Sequence, residues 1–267
     1  MSCYQYWDKI KAIAKSLKQY QDTRFQDLPP QEIIPLLDQV EEIAHDRVID
    51  FDSARHILDD EKMNQALQII RRFYVEMGSQ LETAKAQEIL ESPDPWATLE
   101  SFHFYPRYQV LVENENKLVK FSPEQKVAFI GGGPLPLTVI LLNKLYGARC
   151  VSIEVLPTVA QLSRQVIQKL GMESQIQVLE GDENAVKEVD YTVVMVAALA
   201  EPKERVFSNL WEALDLNTPV IYRTYTGMRA ILYSPVTEKA TRGFHKEVMI
   251  LPSGKVNNTS VLIRKVI

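Results

Sequence analysis

The chain has 267 residues, 46% hydrophobic and 24% charged, with a formal net charge of −5 at pH 7. That balance supplies a sizeable apolar core for one large or two modest domains, and its acidic total argues against a nucleic-acid surface. No apolar run reaches membrane-spanning length, and the opening MSCYQYWDKIKAIAKSL is amphipathic without an apolar signal core, so a soluble cytoplasmic protein is expected. Two cysteines, Cys3 and Cys150, are too few for a disulfide framework. The 4 histidines, His45, His56, His103 and His245, show no zinc spacing, so no enzyme-bound metal is expected.

Residues 1–122 read as an N-terminal all-helical domain. Ile10, Ile13 and Leu17 recur at helical spacing, and Leu36, Leu37, Val40, Ile43 and Ala44 form a second stripe with Pro30 and Pro35 near its start. Ser53 is a candidate cap for a third helix running through Ile57, Leu67 and Phe73, with Asn64 marking a bend. Leu81 to Leu90 makes a fourth, stopped by Ser92-Pro93-Asp94-Pro95. Phe102-His103-Phe104-Tyr105-Pro106-Arg107-Tyr108 then fits neither a clean helix nor a clean strand. It serves either as a hydrophobic plug or as a pocket wall offering ring faces, hydroxyls and a guanidinium to an anionic ligand.

Residues 123–267 alternate strands and helices. An apolar run over Val127–Ile130 ends in Gly131-Gly132-Gly133, and a helical pattern follows from Leu135, with Pro134 and Pro136 in its first turn. Glycines in such a turn reach φ > 0 and let a ligand approach the backbone, while the helix N-terminus offers free N–H groups. Pro136 stands where the third glycine of a dinucleotide fingerprint belongs. Further apolar runs end in Glu154, in Glu180-Gly181-Asp182 and in Ala197-Ala198. An acidic residue about 20 positions beyond the glycine turn is placed for ribose hydroxyls. A second one, Asp182, is the arrangement of S-adenosylmethionine-dependent transferases, where it faces the adenine. A fifth run, Pro219–Tyr222, leads into Arg223, and Gly227 opens a short helix over 228–232. Two last runs, 244–251 and 261–267, fit an antiparallel hairpin. The expected fold class is α/β, with a mainly parallel sheet covered on both faces. Gly131, Gly132, Gly133, Glu154, Asp182, Ala197, Ala198 and Arg223 all fall at strand ends and should converge on one crevice.

Taken together, FHFYPRY (102–108), VAFIGGGPLPLT (127–138), MVAALAEPK (195–203), RTYTGMRAILYSPV (223–236) and PSGKVNNTSV (252–261) resemble the nicotianamine synthase family. The archaeal, thermonicotianamine-type members are the most similar. The resemblance covers essentially the whole chain. It implies a Rossmann-like class I S-adenosylmethionine-dependent transferase domain behind a helical lid. The implied reaction is an aminocarboxypropyl transfer: the donor gives its amino-acid chain rather than its methyl group, leaves methylthioadenosine, and builds a metal chelator from an amino acid such as glutamate. It lends Glu82 and Tyr108 catalytic roles. Tyr105, Arg107, His103, Arg223 and Asn258 become substrate-binding residues. The glycine turn with Pro134, Glu154, Asp182, Ala197 and Ala198 becomes the cofactor site. His103 departs from the tyrosine expected in archaeal relatives, and opine-type chelator synthases related to the family transfer the same group to histidine. A homodimer fits the resemblance as well.

The chemistry asks for such groups. The attacking amine is protonated near neutral pH and needs a base. Read without the resemblance, Glu82 is a solvated helix charge, and Arg223 is either an ordinary surface ion pair or a strand-end cation of the crevice. A small-molecule methyltransferase is the main alternative. A nicotinamide oxidoreductase is disfavoured by Pro136 and Asp182, and a non-catalytic binding module by the presence of both acidic strand ends.

Overall fold

A computed structural model of the protein describes residues 3–18, 20, 30–46 and 48–266. Met1 and Ser2 of the opening stretch and Ile267 of the last apolar run lie outside these, as do the side chains of Cys3 and Pro30. The described chain divides into two compact units, one of residues 1–81, 225–235 and 253–258, the other of residues 82–224, 236–252 and 259–267. The boundary expected near residue 122 is not where contacts divide the chain. Residues 82–119 pack with the sheet, because the helix over 105–119 lies against the first crossover helix and the final hairpin.

The first unit is helical. Helix α1 (Cys3–Lys18) buries Tyr6, Ile10, Ala14 and Leu17, one stripe at the helical repeat. Helix α2 (Pro30–Ala44) carries Pro35 inside and buries Ile33, Leu37 and Val40. The expected third helix breaks in two. Helix α3 (Phe51–Leu58) is capped by Asp50, whose carboxylate accepts from the Ser53 N–H, so Ser53 is the capped residue and not the cap. A 3₁₀ turn over Glu61–Met63 follows, capped by Asp60. Helix α4 (Asn64–Glu91) then runs uninterrupted for 28 residues. The expected bend at Asn64 is therefore a helix start. The expected third and fourth helices merge across Gly78, because one glycine weakens a helix by only about 1 kcal/mol.

The second unit is built on a seven-stranded sheet in the order β3-β2-β1-β4-β5-β7-β6. Strands β1 (Lys126–Ile130), β2 (Arg149–Glu154), β3 (Ile176–Glu180), β4 (Val193–Val196) and β5 (Pro219–Thr224) are parallel. Strands β6 (Phe244–Ile250) and β7 (Thr259–Lys265) form the antiparallel hairpin, with β7 inserted beside β5. The parallel strands are continuous apolar runs because both faces are covered. Ile130, Val194, Val196, Phe207, Val220 and Ile263 lie in one buried cluster.

Helices α5 (Pro95–Glu100), α6 (Tyr105–Val119), α7 (Leu137–Tyr146), α8 (Pro157–Lys169) and α9 (Lys203–Ala213) complete the unit. The aromatic segment that fits no regular element is a turn over 101–104 followed by the first residues of α6, where Pro106 is tolerated because first-turn N–H groups have no partner in the helix. Helix α7 begins at Leu137, two residues later than the sequence pattern, with Pro136 at its cap position. The segment after Gly227 is a 3₁₀ turn, Gly227–Ile231. No helix among the described residues is long and apolar enough to cross a membrane.

Candidate active site

Strand order reverses between β1 and β4, so the crossovers leave on opposite faces and a crevice opens beyond the carboxyl ends of these two strands. The glycine turn fills it. Gly131 donates to Ile153 O at 2.8 Å and holds φ 85°, and Gly133 holds φ 71°. A β-carbon on Gly131 would come within 3.1 Å of the Ala197 β-carbon, and Ala197 itself donates to Ile130 O at 3.0 Å. Gly132 lies so close over β2 that a β-carbon there would stand 1.9 Å from Ser152 Oγ. Glycine is thus demanded at 131 and 133 by backbone conformation and at 132 by the strand beneath.

Two carboxylates flank Gly133. Glu154, 7% exposed, accepts from the Gly133 N–H through Oε2 and from the Leu156 N–H through Oε1, both at 3.0 Å. Glu82 approaches from α4, and a β-carbon on Gly133 would meet its Oε2 at 3.2 Å. Tyr108, one turn into α6, donates its hydroxyl to Glu82 Oε1 at 3.1 Å. Burial pushes the Glu82 carboxyl up to about 7. The Tyr108 hydrogen bond and the Arg223 charge act downward, and the Glu154 charge upward. A carboxyl at that level is about half ionised at neutral pH.

Arg223, at the end of β5, is 4% exposed and paired twice to Glu115, Nε to Oε1 at 2.7 Å and Nη2 to Oε2 at 2.8 Å. Its Nη1 donates to Thr138 Oγ1 at 2.9 Å, and its Cζ stands 5.9 Å from the centre of the Tyr108 ring. Ser260 adds a hydrogen bond to Glu115 Oε1 at 3.2 Å. Asp182 follows Gly181, which donates to Glu154 O at 3.0 Å. The Asp182 carboxylate caps the 3₁₀ turn Glu183–Glu188 by accepting from the Asn184 N–H. Ala197 and Ala198 present their carbonyls to the Lys203 ammonium at 3.1 and 2.8 Å.

Four sequence candidates have other surroundings. His103 sits exposed in the turn before α6, edge-on to the Phe104 ring, and the Arg107 guanidinium lies 4.6 Å from the centre of that ring. The Tyr105 hydroxyl is met by Lys144 Nζ at 3.2 Å. Lys144 is near the far end of α7, seven residues and about 10 Å of helix from its start at the glycine turn. Asn258 belongs to the helical unit, where its Nδ2 is buried without a hydrogen-bond partner among the described residues. Its neighbour Asn257 bonds Glu41, Tyr74 and His45 there.

Glu115, Glu183 and Lys203 escaped the sequence reading. Glu115 carried a signal: it lies three and four positions after Val112 and Leu111, on the apolar stripe of α6, where a charge needs a partner. Among the described residues, no group of three or more His, Cys, Asp or Glu is placed to hold a metal ion.

The arrangement provides a high-pKa carboxyl, a hydroxyl that orients it, and a second carboxylate on the backbone of one glycine turn. It suits a cationic ligand and a proton transfer.

Comparison with known proteins finds relatives along the whole chain. A family model described as nicotianamine synthase protein matches residues 4–267. The crystal structure of MtNAS in complex with MTA and tNA is similar at 54% identity and a TM-score of 0.96, covering 99% of this chain and 100% of that one. A glutamate-to-glutamine mutant of MtNAS in complex with S-adenosylmethionine is similar at 53% identity and a TM-score of 0.93, covering 99% of both chains. Among curated proteins, nicotianamine synthase of Solanum lycopersicum is 28% identical over 78% of this chain and 71% of its own length. L-histidine 2-aminobutanoyltransferase of Yersinia pestis is 29% identical, and the chain spans about half its length, 46%.

Proposed function

The chain belongs to the nicotianamine synthase family, and we propose that it transfers the aminocarboxypropyl group of S-adenosylmethionine to the amine of an amino acid, releasing methylthioadenosine and building a nicotianamine-like chelator. The observation that carries the reading is the placement of Glu82 and Glu154 on either side of Gly133. The Glu154 carboxylate draws the sulfonium of the donor to the glycine turn, while Glu82 faces the acceptor. Asp182 meets the adenine, Glu154 turns its remaining lone pairs to the ribose, and Gly131–Gly133 with Pro134, Ala197 and Ala198 line the donor.

Glu82 takes the proton from the acceptor ammonium, which has no lone pair until it does so. Tyr108 fixes the carboxylate in line. The electrophilic carbon is already activated by the adjoining sulfonium, so orientation decides which of its substituents is attacked. Arg223, with its fork closed on Glu115, positions Tyr108, and its charge favours the ionised form of Glu82. Its role is support rather than direct capture of a substrate carboxylate.

We assign glutamate as the acceptor, on the resemblance to archaeal members. The histidine named for the Yersinia relative is the competing acceptor. Asn258 keeps a substrate-binding role in this reading on the resemblance alone; its Nδ2 is buried without a hydrogen-bond partner among the described residues. Tyr105, Arg107 and His103 keep substrate-binding roles on the resemblance alone. The reading includes a homodimer through the edge strand β6, whose Val248 and Met249 are each 46% exposed.

Incubation with S-adenosylmethionine and either glutamate or histidine tests the function. Methylthioadenosine with a conjugate of glutamate is the expected product. S-adenosylhomocysteine would mean methyl transfer, and a histidine conjugate would move the acceptor.

A further inference from the structure

Lys203 opens α9, is 6% exposed, and plays no part in the mechanism above. A buried lysine needs its three N–H donors satisfied. Here all three find main-chain carbonyls of one loop: Ala197 at 3.1 Å, Ala198 at 2.8 Å and Ala200 at 2.5 Å. The nearest carboxylate is Glu201 at 3.8 Å, and Glu201 also accepts from the Lys203 N–H at 2.8 Å. The loop between β4 and α9 is thus folded around an ammonium. Its outer side is what Gly131 packs on, since a β-carbon at Gly131 would meet Ala197 at 3.1 Å and Ala200 at 3.2 Å.

The same helix also grips the turn that follows β3. Glu183, 2% exposed and next to Asp182, accepts from Arg205 Nε at 3.0 Å and from Asn209 Nδ2 at 2.7 Å. Asp182 caps the 3₁₀ turn in which Glu183 is the first residue. Two turns of one helix therefore fix both the loop over 197–200 and the turn that aims Asp182.

We propose that α9 is the element that shapes the donor pocket, with Lys203 a positioning residue for the Ala197–Ala200 loop and Arg205 and Asn209 positioning Asp182 through Glu183. This rests on the reading that S-adenosylmethionine occupies the crevice. None of the three side chains touches the donor; they act by holding main chain and carboxylate where the donor meets them. Burial lowers the Lys203 ammonium to about 8, in line with a group held by carbonyl dipoles rather than by a close carboxylate.

The test is calorimetric titration of S-adenosylmethionine into the parent, Lys203→Met and Asn209→Ala, with melting curves to confirm folding and steady-state kinetics alongside. Lys203→Met leaves three carbonyls without their cation and should weaken donor binding about tenfold or more. Its KM for the donor should rise while the KM for the acceptor stays put. Lys203→Arg keeps the charge and should recover part of the affinity. A variant that only unfolds part of the sample lowers kcat with the donor KM unchanged, and that pattern overturns the proposal. Asn209→Ala removes one donor from Glu183, leaves Lys203 in place, and should weaken the donor about threefold; it carries the test if Lys203→Met does not fold. Parent-like affinity in the folded variants overturns the proposal and leaves the functional reading standing. A parent that does not bind S-adenosylmethionine overturns both.

Discussion

The Tyr108 hydroxyl donates to Glu82 Oε1 at 3.1 Å, from a helix 26 residues further along the chain. This bond ties the carboxyl to the crevice and acts against the burial that raises it to about 7. A proton acceptor at that level suits an amine near neutral pH, where a carboxylate at its ordinary value would be too weak a base.

Tyr108→Phe should move that balance upward. The hydrogen bond favours the ionised carboxylate, so its loss raises the Glu82 pKa further and shifts the acid limb of kcat/KM against pH to higher pH. At pH 7 the rate should fall roughly three- to tenfold. An acid limb that stays in place would detach Tyr108 from Glu82.

The raised carboxyl is also a statement about stability. The folded state keeps the Glu82 proton up to about 7, while the unfolded chain releases it near 4.5. The contribution is fully present below the lower value and is lost as pH rises through the higher one. Between pH 5 and 8 the parent should therefore lose about 2 kcal/mol more stability than Glu82→Gln. Parallel denaturant titrations of the two proteins across that range measure it, and equal losses would show that the carboxyl is not buried.

Gly132→Ala should damage the turn by contact rather than by backbone conformation. Its new β-carbon would meet Ser152 Oγ at 1.9 Å, a clash on the order of 1–3 kcal/mol in a packed site. Ser152 Oγ has no hydrogen-bond partner among the described residues, so Ser152→Ala costs little alone and should rescue most of the loss in the double variant. Melting curves of the four proteins close this cycle; additive losses would refute the contact.

The donor contacts make a separate prediction. Asp182→Ala should weaken S-adenosylmethionine about tenfold. Glu154→Ala should weaken it more, because the substitution also strips the acceptor from the Gly133 and Leu156 N–H groups. Calorimetry decides; unchanged affinity in both variants would remove the donor from this crevice.

Bound donor should also quiet the aromatic segment. Residues 102–108 include Tyr108, which holds Glu82 at the glycine turn. Hydrogen exchange there should slow on adding S-adenosylmethionine. Exchange unaffected by the donor would sever this segment from the site.

The glycine turn and acidic strand ends were legible because each comes from local rules: apolar runs that end in glycine or a carboxylate, repeated at βα spacing. Glu82 and Arg223 were not legible in that way. Nothing local distinguishes Glu82 from the other charges of a 28-residue helix, and only the family resemblance singled it out. Arg223 was visible as a strand-end cation. Its partner Glu115 lies 108 residues earlier, so the pairing that closes its fork exists only in the fold. The helix breaks were missed for a related reason: Asp50 and Ser53 are both good cap residues, and the choice between them rests on where Phe51 enters the helix. The aromatic run read as irregular because a turn and a helix start share seven residues.

The most direct measurement is the pH–rate profile of Glu82→Gln beside the parent under saturating donor. Glutamine keeps the size and hydrogen bonding of the side chain and removes its basic oxygen. The variant should bind S-adenosylmethionine about as well as the parent, lose roughly 10²-fold or more in rate at neutral pH, and regain part of that rate as rising pH supplies the free amine from solution. Turnover equal to the parent at neutral pH would contradict Glu82 as the base.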